Sequence, residues 1–224
     1  TLEGSVAAQN ITGTASTTFD GLTFNNSLAA EPRYIIGVNT NVEKTLTMSQ
    51  GNVNLGAFNL TLGVSNAVPG ILVHDQTLND GWMYGTGNFI RWFAKATIAD
   101  GHVDGLFPLG NAATDFRPFY VNPSGAPTTE GTISVSHTDA TGSDTPVSFP
   151  DGGGNVSLIS DTKWTMSTGG GLTGGSYDIS GAGTSFGTVG NVDDLRLVQA
   201  AGVVGTAGVN AVSYTHLRAH ETFA

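Results

Sequence analysis

The chain has 224 residues, carries 18 Asp and Glu against 8 Lys and Arg for a net charge of −10, and contains no cysteine. Basic residues this sparse and scattered exclude the cationic footprint that nucleic-acid binding needs, and the missing cysteines exclude disulfides and thiolate chemistry. With 32 Gly and only 12% charged residues, the composition suits short strands joined by tight turns rather than helices, so an all-β fold is expected.

From Thr1 to about Asp80 the chain repeats a short period of two. Phe19, Leu22 and Phe24 alternate with polar residues around an Asp20-Gly21 turn. Val42 to Met48 alternates next, Ser49-Gln-Gly-Asn52 turns the chain, and Val53-Asn-Leu55 and Phe58-Asn-Leu-Thr-Leu62 follow. Each strand presents one apolar row and one polar row. Strands this short bury an apolar row by stacking on the previous coil of a parallel β-solenoid; the same alternation also permits an antiparallel meander.

From Gly81 the periods lengthen. Phe89–Lys95, Leu106–Gly110, Arg117–Val121, Thr132–His137, Val156–Ile159, Lys163–Met166, Ser176–Ser180 and Asp194–Val198 read as strands separated by Gly, Pro, Asn and Asp. That spacing suggests a β-sandwich of immunoglobulin-like type, with Trp164 in its core. No run approaches the roughly 18 apolar residues of a membrane-spanning helix.

The last segment changes character abruptly. Val212-Ser-Tyr-Thr-His-Leu-Arg-Ala-His-Glu-Thr222 resembles the translation of a transposon-type sequencing adapter along its whole length. The resemblance implies that native sequence ends near Ala211. It also removes the argument for a zinc site from His216, His220 and Glu221, whose spacing would place two imidazoles on one helix face. The expected organisation is β-solenoid rungs over 1–80, a C-terminally truncated sandwich module over 81–211, and adapter-derived residues over 212–224. Thr1 is expected to lie within a larger parent protein.

A second resemblance rests on Leu46-Thr-Met-Ser-Gln-Gly-Asn-Val-Asn-Leu-Gly-Ala-Phe-Asn-Leu-Thr-Leu-Gly63, and on the later series Leu106–Gly110, Arg117–Val121, Thr132–His137, Trp164 and Asp193–Val198. Together these are similar to repetitive surface proteins of gliding bacteria that use type IX secretion. The resemblance implies β-helical rungs followed by a sandwich module and an extracellular or cell-surface address. Its motifs are patterns of fold, and imply no chemistry.

Candidate sites are few. Trp82, Tyr84 and Trp92 form a candidate glycan-stacking set, since aromatic faces attract apolar sugar surface, although such residues more often fill cores. Loop acids Asp100 and Asp104 are candidate calcium ligands, as are Asp139, Asp144 and Asp151; turn Asp residues also occur for purely structural reasons. No other cofactor is expected. Gly183-Thr-Ser-Phe-Gly187 matches a nucleophile-elbow pattern without the helix that chemistry needs, and Gly169–Gly174 fits the G-x-G-x-x-G pattern without a βαβ unit. No enzyme is expected. The sequence reads as a structural or adhesive segment with glycan or matrix partners; the alternative is an accessory region of a secreted polysaccharide-degrading enzyme.

Overall fold

The computed structural model describes the chain except residues 66, 94–104, 113–114, 126, 140–144, 152–153, 160–161, 184–195, 201–208, 216–217, 220 and 224. Among the described residues the regular structure is all strand. The first ten strands are β1 (Leu2–Gly4), β2 (Gln9–Ile11), β3 (Thr17–Asn26), β4 (Tyr34–Ile36), β5 (Thr40–Gln50), β6 (Val53–Gly56), β7 (Leu60–Leu62), β8 (Ile71–Val73), β9 (Met83–Gly85) and β10 (Phe89–Phe93). They fall into two sheets, between which the chain alternates except at β7 and β8: β1, β3, β5, β7, β8 and β10 are in the first, β2, β4, β6 and β9 in the second. Every ladder within this set is parallel, which an antiparallel meander does not contain.

Parallel pairing stacks like on like. Leu22 pairs with Leu46 and Leu46 with Leu72. Phe24 lies between Leu2 and Met48, and on the facing sheet Val53 lies between Tyr34 and Met83. Leu22, Leu46, Leu72, Phe24, Met48, Tyr34, Val53 and Met83 are all buried. Each such side chain contributes roughly 1.5–3 kcal/mol by leaving water, so short strands gain from stacking what they lack in length.

The corners are held by backbone and amide contacts. Asn39, Asn59 and Asn88 occupy the same corner in successive passes of the chain. Asn59 N–H donates to Asn39 Oδ1 at 2.9 Å, and Asn88 donates to Asn59 Oδ1 from its backbone at 3.0 Å and its side chain at 3.1 Å. Another corner needs glycine: Gly51 has φ 101° and Gly81 φ 77°, and a Cβ on Gly81 would lie 2.2 Å from the Gly51 carbonyl oxygen. Only a residue without a Cβ allows that approach.

Several local expectations are corrected. Asp20-Gly21 is no turn: β3 runs through it with a register shift against β5 between Phe19 and Gly21. Extra residues in a ladder bend a strand without ending it. Phe58 lies outside β7 and is exposed, because the chain at that corner turns through a Phe58 N–H to Leu55 carbonyl bond.

The later strands are β11 (Leu106–Phe107), β12 (Phe119–Gly125), β13 (Gly131–Asp139), β14 (Thr145–Asp151), β15 (Gly154–Ile159), β16 (Thr162–Gly169), β17 (Ser176–Gly181), β18 (Arg196–Ala200), β19 (Val209–Thr215), β20 (Arg218–Ala219) and β21 (Glu221–Phe223). Their ladders are antiparallel. β13 and β16 extend the first sheet directly from β10. β11, β12, β17 and β21 form a further sheet, and Met83 of β9 bridges to Leu109 just after β11. One hydrophobic cluster runs from Ile11 to Ile179, so strands on both sides of residue 80 share a sheet and a core.

Candidate functional site

Between β8 and β9 the chain makes a compact polar turn roofed by aromatic rings. His74 is fully buried. Its Nδ1 accepts the Gln76 N–H at 2.8 Å, which leaves the proton on Nε2, donated to the Gly81 carbonyl at 2.8 Å. Gln76 has the left-handed φ of 60°, and its side-chain oxygen accepts the Tyr120 hydroxyl at 2.6 Å. Asp80 Oδ2 accepts the Thr77 N–H at 3.1 Å and hydroxyl at 3.0 Å, and stands 4.0 Å from His74 Nδ1. Both imidazole nitrogens are thus committed to fixing backbone, which suits a structural rather than a proton-transferring histidine.

Trp82 closes this turn from inside. It is 5% exposed, its indole N–H donates to the Asn111 carbonyl at 2.8 Å, and its ring stacks on Phe116, which also stacks on His74. A tryptophan so placed offers no face to a ligand. Tyr84, on the outward side of β9, is half-buried; loss of water and the nearby Glu31 charge raise its phenol pKa. Trp92 is half-buried on the outward side of β10, between buried Arg91 and Phe93. Tyr84 and Trp92 lie on the outward faces of different sheets. The three aromatics are not brought together.

Trp164 packs against the core from β16: it stacks on Phe119 and lies tilted on His137, while its indole N–H donates to the Arg117 carbonyl at 3.0 Å. It remains half-buried because β16 is the last strand of its sheet. Arg91, which periodicity alone places on an inward face, is buried there, donating to the Leu106 carbonyl at 2.7 Å with its guanidinium 5.7 Å from the Phe107 ring centre.

Asp100, Asp104, His102, Asp144, Ser185, His216 and His220 lie outside the described residues. Asp139 and Asp151 fall within β13 and β14, and Gly169–Gly174 turns the chain between β16 and β17 with Gly170, Gly171 and Gly174 at positive φ. Among the described residues no group of three His, Asp or Glu side chains is placed to hold a metal ion, and no helix is long and apolar enough to cross a membrane.

What sequence reading missed is a row along the outward face of the first sheet. Register places Thr18 beside Asn41, Asn41 beside Thr61, Thr61 beside Ile90, Ile90 beside Ser134 and Ser134 beside Ser167. The row crosses six strands that are far apart in sequence, so only the pairing reveals it. Comparison with family models, curated proteins and solved structures finds no match for the chain.

Proposed function

We propose that the chain is a non-enzymatic structural and adhesive segment of an extracellular or cell-surface protein. In this reading β1 to β10 are the rungs of a short parallel β-solenoid, and the antiparallel strands after them form an immunoglobulin-like sandwich module. The observation that carries it is the unbroken first sheet, in which parallel strands with in-register apolar columns continue into β13 and β16 without a gap. Such a scaffold holds side chains at fixed spacing on its outer faces, which is what adhesion to a repetitive partner requires. The commitment of His74 to backbone bonds fits a role without catalysis.

The similarity to type IX-secreted surface proteins supplies the address, and the adapter-like tail, Val212 to Thr222, is proposed to be foreign to the native protein. Long-read sequencing of the source locus across codon 211 tests both. Further β-sequence and a sorting domain in place of those codons support the reading. The same codons in the native gene would remove the adapter claim, and a catalytic domain adjoining the segment would favour the accessory region of a polysaccharide-degrading enzyme.

A further inference from the structure

We infer that the outward face of the first sheet is a binding surface for an extended, uncharged, β-linked polysaccharide. The glycan would lie across the strands along the row Thr18, Asn41, Thr61, Ile90, Ser134 and Ser167. This rests on the adhesive reading above and gives it a partner and a place. Neighbouring strands in a sheet are roughly 4.8 Å apart, close to the advance of one pyranose ring along an extended β-linked chain. One side chain per strand therefore meets one sugar per step.

The chemistry of the row suits such a chain. Five of its six side chains are hydroxyls or an amide, able to donate and accept, and none is charged. The ionic groups beside the row are of both signs: Lys44 Nζ lies 2.6 Å from Asp20 Oδ1, Glu43 follows Asn41 two residues along β5, and Lys163 is exposed on β16. A polymer of one charge sign meets both attraction and repulsion there, whereas a neutral one finds hydrogen-bonding groups that cost less to desolvate than charges. Ile90 at the centre, with Trp92 two residues on along the same face of β10, supplies apolar surface for the C–H side of the sugar rings. Trp92 is opposite Thr132, which is opposite Gly169. The next residue, Gly170, has φ 60° and lies so close that a Cβ there would come within 3.3 Å of the indole. The Gly-rich turn therefore holds one side of the Trp92 ring in place. A pre-positioned aromatic beside a ladder of hydroxyls loses little conformational freedom on binding.

Native affinity electrophoresis of the full chain tests this, with hydroxyethyl cellulose as the β-linked probe and soluble starch as the α-linked one. The chain should be retarded by the first and not by the second. Trp92→Ala should weaken retardation severalfold, and the double variant Thr61→Lys with Ser134→Lys should abolish it, at least a tenfold loss. Both positions face outward, so the double variant should melt with the parent chain. If it melts early, Thr18→Lys with Ser167→Lys, at the exposed ends of the row, carries the same test. Equal retardation by starch, retention of binding in a folded row variant, or no retardation in either gel would overturn the proposal. That last result would leave the adhesive reading standing, since the source locus decides it independently.

Discussion

At the scale of single residues, the amides and phenols at the corners of the chain bear more than their exposure suggests. Asn59 accepts two bonds from Asn88 and donates one to Asn39, so Asn59→Ala leaves a half-buried N–H and amide without their acceptor. A loss of about 1–2 kcal/mol is expected, read by urea unfolding. Tyr34 is buried, with its hydroxyl donating towards the Leu2 and Gln50 carbonyls at 3.3 Å each, and burial raises its pKa well above the ordinary 10.0. A raised folded pKa means that the unfolded chain loses the proton first. Stability from this group is therefore intact below pH 10 and falls as pH rises beyond it. Melting temperature followed from pH 8 to 12 should drop more gently for Tyr34→Phe than for the parent, Tyr84 and Tyr177 accounting for part of what remains, since burial raises them too.

Elements were legible in the sequence wherever alternation was clean. β5, β6, β13, β16 and β17 lie where the apolar period of two predicts them, because one buried and one solvated face leave that imprint directly. β2, β4, β8 and β9 were not seen. They are three residues long, too short to show a period, and exist because a neighbouring strand of another pass pairs with them. The candidate site was less legible still. Trp82 reads identically whether it plugs a core or stacks on a ligand, and the Thr18–Ser167 row is defined by pairing between distant strands. The tail also acts at this scale: Glu221–Phe223 pairs with β17 through Ile179, Asp178 and Tyr177. Deleting residues 212–224 takes that partner strand away from β17. Unpaired edge strands recruit other chains, so chain 1–211 should show concentration-dependent association by light scattering where the full chain shows less.

For the whole molecule, the central claim is that parallel and antiparallel halves form one scaffold around one core. The sheet that begins at β1 ends at β16. Arg91, on the last parallel strand, is tied to the Leu106 carbonyl at 2.7 Å, and Met83 exchanges backbone bonds with Pro108 and Gly110 at 2.8 and 3.0 Å. Contacts of this kind couple the opening of one half to the opening of the other. A scaffold that holds its outer rows in register under load needs that coupling. Hydrogen exchange in rising urea, read by mass spectrometry on peptides from β3–β5 and from β12–β13, measures it directly. Both sets of amides should converge on a single opening free energy and a single urea dependence. Residues 1–80 exchanging in a separate, earlier transition, while β12 and β13 stay protected, would contradict the claim.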